Sequence, residues 1–151
     1  MYQITKTKKM NSQKIILINQ FEELERIISF IDSFKNVWNI NQNVVNKINL
    51  AVEEMFLNIV EYGYNDENKH LISLEFILND DFLFIIIKND ADQFDIINYP
   101  PPDLSTELSE RQVGGLGIFF MKQIVSKLTT QNINGINIIH LTIDLAKHNF
   151  D

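Results

Sequence analysis

Residues 71–88, LISLEFILNDDFLFIIIK, decide the fold class. The first half alternates loosely between apolar and polar positions, and Asn79-Asp80-Asp81 is turn chemistry. The run Phe82, Leu83, Phe84, Ile85, Ile86, Ile87 is apolar enough for a central strand. Strands joined by so short a turn pair antiparallel, because a parallel pair needs a crossover of about a dozen residues or more. The stretch therefore predicts a β-hairpin. A second hairpin is expected further on, where residues 129–133 lead into Asn134-Gly135, a dipeptide favoured in tight hairpin turns, and Ile139, Leu141 and Ile143 alternate beyond it.

Helical spacing surrounds these hairpins. Phe21, Leu24, Ile27, Ile28, Ile31 and Phe34 recur on one face, and Asn19 with Glu22 resembles a capping box. A second helix follows Asn41, a residue suited to the N-cap, carries Val44, Val45, Ile48, Val52, Met55, Phe56 and Ile59 inward, and stops at Gly63. A third opens at Gly114-Gly115-Leu116-Gly117 and carries Ile118, Met121, Ile124, Val125 and Leu128. Residues 14–18 read as a further short strand. The expected architecture is an α/β two-layer sandwich: a mixed, largely antiparallel sheet with three main helices on one face.

A chain of 151 residues, 45% hydrophobic, has the size and balance of one domain with one core. Residues 1–13 are polar and basic and are expected to be loosely held, with the single domain at 14–151. Lys and Arg number 13 against 20 Asp and Glu, and the resulting charge of −7 repels phosphate backbones and anionic lipids. Neither nucleic acid nor a membrane is an expected partner. The absence of cysteine excludes disulfides, cysteine-ligated metals and a thiol nucleophile. The apolar run at 82–87 falls far short of the ~20 residues that span a bilayer, and 15–18 is too short for a signal-peptide core of about 7 to 15 residues. A cytoplasmic location is expected.

Polar residues inside the second helix are the first candidates for chemistry. Glu54 and Asn58, four apart, share one face, so their side chains can converge on one ligand. A carboxylate can take a proton from a hydroxyl, and an amide oxygen suits Mg²⁺; the plainer alternative is a solvated stripe. The glycines at 114, 115 and 117 precede a helix, where free amides suit phosphate oxygens, although a flexible helix entry explains them equally well. No Gly-Lys-Ser/Thr follows and no G-x-G-x-x-G is present, which sets aside P-loop and dinucleotide folds. Asn89 and Asp90 end the central strand, a place for a base-reading group or for an ordinary polar loop. Residues 98–113, with Pro100, Pro101 and Pro102, are too polar for core and read as an active-site lid or a disordered linker. His70, His140 and His148 lack companions at ligand spacing, so no histidine metal site is expected.

The order of these pieces resembles the GHKL ATPases, the superfamily of DNA gyrase and the histidine kinases, with their Bergerat-type fold. Asn49-Leu50-Ala51-Val52-Glu53-Glu54 through Asn58, and 110–118, Glu-Arg-Gln-Val-Gly-Gly-Leu-Gly-Ile, are similar to the bacterial anti-sigma-factor serine/threonine kinases. The likeness runs from about residue 49 to 142 and includes Pro102-Asp103-Leu104 and Gly135-Ile136-Asn137. It implies Glu54 as general base, Asn58 as Mg²⁺ ligand, and Gly114, Gly115, Leu116 and Gly117 around the triphosphate of ATP. It also implies a lid over 103–113 and Arg111 at the γ-phosphate. The family usually has Asp-x-Gly at the strand end, with the Asp accepting from the adenine amino group; here the triplet is Asn89-Asp90-Ala91. Asn89 is expected to keep an acceptor oxygen without the charge, and Ala91 to crowd the purine or, at positive φ, to strain the backbone.

The resemblance thus implies an ATP- and Mg²⁺-dependent serine/threonine protein kinase and anti-sigma factor. It would act as a homodimer that binds a sigma factor and phosphorylates a STAS-domain antagonist. The alternative, motivated by the altered triplet, is a non-catalytic binding module that sequesters a regulatory partner with weak or no nucleotide binding.

Overall fold

The computed structural model describes residues 11–102 and 115–148. Five strands form one sheet in the order β1-β2-β3-β5-β4: β1 Asn11–Ile18, β2 Leu71–Asn79, β3 Phe82–Asn89, β4 Lys127–Ile133 and β5 Ile136–Asp144. Every neighbouring pair is antiparallel, with β2-β3 and β4-β5 the two expected hairpins. The first strand starts three residues before the expected position 14, because Asn11, Ser12 and Gln13 pair with Leu78, Ile77 and Phe76. Asn134 and Gly135 both take positive φ, 52° and 85°, the conformation of a two-residue hairpin turn that glycine adopts without steric cost.

Three main helices, α1 Leu24–Asp32, α3 Gln42–Tyr62 and α4 Gly115–Ile124, pack with the short α2 Phe34–Val37 and α5 Leu145–His148. The period-two pattern of the strands points Leu17, Ile72, Leu74, Phe76, Leu83, Ile85 and Ile87 into the helical layer, where all are buried. Phe34 and Phe76 meet edge to face there at 5.0 Å. On the opposite face Ile16, Phe82 and Phe84 are exposed. The two layers of the expected sandwich are therefore present.

Helix α3 begins as expected: the Asn41 side-chain oxygen accepts from the Val44 N–H at 2.9 Å. The glycine at its end, Gly63, is there for space and not for conformation, since φ is an ordinary −87°. A Cβ at 63 would run into the Ile59 carbonyl oxygen and lie 2.6 Å from the Ala91 Cβ. The first helix differs from its reading. Asn19 gives its side-chain oxygen to the His70 N–H, 51 residues away, so it caps nothing; a 3-10 turn at Phe21–Glu23 opens the helix. The Glu23 carboxylate reaches back to the Ile18 N–H at 3.1 Å in place of the expected capping box.

Candidate functional site

The helical layer and the sheet part at one end, leaving a cavity of about 560 Å³. Helix α3 supplies one wall through Met55, Asn58, Ile59 and Tyr62. The end of β3 and the loop after it supply another through Asn89, Ala91 and Phe94, and the β4-β5 hairpin closes the third with Thr130, Gln131 and Asn137. Helical periodicity brings Asn58 to this opening one turn after Glu54.

Asn58 donates its Nδ2 to the Glu54 backbone carbonyl at 2.7 Å. That bond turns the amide so that Oδ1 is the group left to accept from, or ligate, a guest. The Glu54 carboxylate lies against Gly117 in the first turn of α4, so tightly that a Cβ there would overlap it. Burial raises the pKa of Glu54 above the ordinary 4.5. Glu53 is raised as well, by burial first, then by the neighbouring Glu54 and by Asp32. A carboxylate partly stripped of water is a stronger base than a solvated one, and here it sits beside a helix start whose first amides have no partner within the helix. Two of the expected site elements, the acidic helix face and the glycine turn, thus meet.

In the cavity wall Asn89 is 3% exposed. Its Oδ1 accepts from the Ala91 N–H at 3.1 Å and from Asn137 Nδ2 at 3.0 Å. Asn137 Nδ2 also donates to the Ala91 carbonyl at 2.8 Å. Asn89 Nδ2 is buried without a partner. The oxygen that the sequence reading offers to a ligand is thus engaged by the Ala91 N–H and by Asn137. Ala91 also differs from its reading: its φ is not positive, and its methyl packs on Gly63. No backbone strain arises there.

Asn137 was not singled out from sequence for any role; the signal available was its place opposite Asn89 across the β3-β5 pairing. Lys122 was missed too. Its Nζ donates to the Ile97 and Tyr99 carbonyls at 2.9 and 3.4 Å, tying α4 to the segment that runs into Pro100. Arg111, Gly114 and the lid at 103–113 lie outside the described residues. Among the described residues no group of three or more His, Asp or Glu side chains is placed to hold a metal ion, and no helix is long and apolar enough to cross a membrane.

Similarity to known proteins agrees with this arrangement. The chain is 31% identical over 101 residues to the serine-protein kinase RsbW of Bacillus velezensis, 62% of this chain and 61% of that one. It is 27% identical over the same length to the Bacillus subtilis protein of that name, and 27% identical over 94 residues to that of Staphylococcus aureus. The aligned region thus spans about three-fifths of these relatives. Among solved structures, the RsbU and RsbW domains of a Mycobacterium tuberculosis protein superpose over 88% of this chain and 32% of that one, with a TM-score of 0.61 at 16% identity. A blue-light activated histidine kinase of Erythrobacter litoralis superposes over 83% of this chain and 42% of that one, with a TM-score of 0.53 at 16% identity. These show the fold. The profile of the histidine kinase-like ATPase domain matches residues 19–143, and with most of its length matched the chain belongs to the histidine kinase-like ATPase domain family.

Proposed function

We propose that the chain is a serine/threonine protein kinase that transfers the γ-phosphoryl group of a nucleoside triphosphate, ATP by family membership, to a STAS-domain anti-sigma-factor antagonist. In this reading it also binds a sigma factor and works as a cytoplasmic homodimer, exchanging one partner for the other. The observation that carries it is the contact of Glu54 with Gly117, which sets a partly desolvated base against the first turn of α4.

In the transfer, Glu54 takes the proton from the substrate hydroxyl as its oxygen bonds to the γ-phosphorus. The bond from that phosphorus to the β-γ bridging oxygen breaks, and the nucleoside diphosphate departs. Gly115 and Gly117, flanked by Gly114 and Leu116, hold the phosphates through amides, and Arg111 supplies positive charge at the γ-phosphate. The residues fit Mg²⁺ in one respect: Asn58, with its nitrogen turned to the helix, offers a hard oxygen. Mg²⁺ held there would neutralise phosphate charge, taking its remaining ligands from phosphate and water.

The test is phosphotransfer from γ-labelled nucleoside triphosphate to candidate STAS-domain proteins. Glu54→Gln is expected to slow transfer by about 100-fold or more while nucleotide binding persists. Transfer at the wild-type rate by that variant would remove Glu54 from the mechanism. A second reading is favoured by the inverted amide at Asn89: a module that sequesters its partner without catalysis. It requires partner binding with no transfer and no nucleotide uptake by the wild-type chain.

A further inference from the structure

His70 is held at both ring nitrogens by carboxylates, and that arrangement settles its charge. Nδ1 lies 3.0 Å from Asp90 and Nε2 2.8 Å from Asp66. An ionised carboxylate only accepts, so each nitrogen must carry a hydrogen, and an imidazole with a hydrogen on both is the cation. The ring is stacked on Tyr64 at 4.3 Å, and its backbone N–H is taken by Asn19 just past β1. Burial first, then Asp90, pushes the Tyr64 phenol up, so it stays neutral while the ring titrates. Asp90 and Asp66 are the charges that act on the ring.

These contacts fasten two parts of the cavity wall to each other. Asp66 and His70 belong to the connection from α3 to β2, residues 63–70, and Asp90 follows β3 between Asn89 and Ala91. Gly63 opens that connection and lines the cavity with Asn89, Ala91 and Asp92. The Asp92 N–H donates to the Gly63 carbonyl at 2.8 Å, and Asn65 Nδ2 donates to the Asp92 carboxylate at 2.6 Å. Three links therefore join the connection to the strand end: His70 to Asp90, Asn65 to Asp92, and Asp92 to Gly63. Of these, the first alone runs through a side chain that ordinarily changes charge between pH 5 and 8.

We propose that His70 is a proton-operated clasp on the cavity wall: its cation bridges Asp66 and Asp90, and loss of the proton loosens the wall at Gly63 and Asp92. The neutral ring has one hydrogen for two carboxylates. Whichever nitrogen loses its hydrogen turns a lone pair toward an anion within 3.0 Å, so either Asp66 leaves the ring or the ring leaves Asp90. Both carboxylates also lose their shared counter-ion. The hydrogen bonds to Asp90 first, then Asp66, keep the ring charged above its ordinary 6.5, so the wall is firm below that pH and slackens above it. The clasp acts on the cavity itself and does not depend on the nucleotide reading.

NMR of the full chain without ligand, titrated through the histidine range, tests this. The His70 ring is expected to titrate above pH 6.5, with the amides of Gly63, Ala91 and Asp92 shifting at the same midpoint. Hydrogen-exchange protection of the Asp92 amide, which is bonded to the Gly63 carbonyl, is expected to fall about tenfold or more across that midpoint, the scale of one charged hydrogen bond. His70→Gln should lack the shared transition, while the carboxyl titration of Glu54 persists. Asp90→Asn keeps the shape of the contact without its charge and should lower the midpoint of ring and amides together. Melting curves check that both variants fold. A ring that titrates without moving Gly63, Ala91 and Asp92 overturns the clasp. So does a transition at those amides that survives in His70→Gln, or a midpoint that Asp90→Asn leaves unchanged.

Discussion

The Glu54 carboxylate occupies the space that any side chain at position 117 would need. One residue sits mid-way along α3 and the other in the first turn of α4, so this contact couples the proposed base to the phosphate-facing turn. It also explains why glycine is required at 117 without any appeal to backbone conformation.

Gly117→Ala tests that coupling. The obstructing atoms belong to the end of a flexible side chain, so the fold survives and Glu54 swings away. Phosphotransfer is expected to fall about 100-fold, the scale of a misplacement near 1 Å. The thermal midpoint should change little. Freed toward water, the Glu54 carboxyl should titrate closer to 4.5, which carboxyl-detected NMR would follow. An unchanged rate together with an unchanged titration would contradict the contact.

Ala91 and Gly63 make the opposite kind of pair, because backbone stands behind the contact. Gly63→Ala drives a methyl into the Ile59 carbonyl and is expected to destabilise by about 2 kcal/mol, within the range for overpacking. Ala91→Gly removes a buried methyl at a position with no positive φ to relieve, and is expected to cost about 1 kcal/mol. Denaturant unfolding measures both. A stabilised Ala91→Gly protein would show that the methyl is strained where the structure has it packed.

His70 gives stability a pH dependence of definite sign. Its Nδ1 lies 3.0 Å from Asp90 and its Nε2 2.8 Å from Asp66, and these two hydrogen bonds, Asp90's the larger influence, raise its pKa above 6.5. A histidine whose folded pKa is raised adds stability that is fully present below the unfolded value and fades as pH climbs through the folded one. The melting advantage of the wild-type chain over His70→Gln is therefore expected to be greatest below pH 6.5 and to decline above it. An advantage that grows with pH would contradict the paired arrangement.

The cap of α3 is a local prediction. Asn41→Ala loses the bond to the Val44 N–H and is expected to cost about 1 kcal/mol, read as a lower denaturant midpoint with an unchanged slope.

What the sequence disclosed divides along the same line between local and distant. The Asn41 cap, the Asn134-Gly135 turn and the inward stripe of α3 depend on residues a few positions apart, and local spacing reveals them. The capping box at Asn19 was misread because that side chain is claimed by the His70 amide across 51 residues. Glu54 and Asn58 were legible as a pair on one helix face, whereas the meeting of Glu54 with Gly117 needed two helices to pack. Asn89 shows the limit most clearly. Its type was visible, but the orientation of its amide is set by the Ala91 N–H and by Asn137, 48 residues further along and brought opposite by strand pairing.

Amide NMR of the full chain during titration with a magnesium nucleoside triphosphate tests the central claim, that a nucleotide lies along α3 from the cavity at Asn58 to the glycine turn of α4. The account predicts shifts concentrated at Asn58, Gly63, Ala91, Gly115 and Gly117 and on the side-chain amides of Asn58 and Asn89, with little change at Phe82 and Phe84 on the opposite sheet face. Shifts confined to that opposite face, or none at saturating nucleotide, would contradict it.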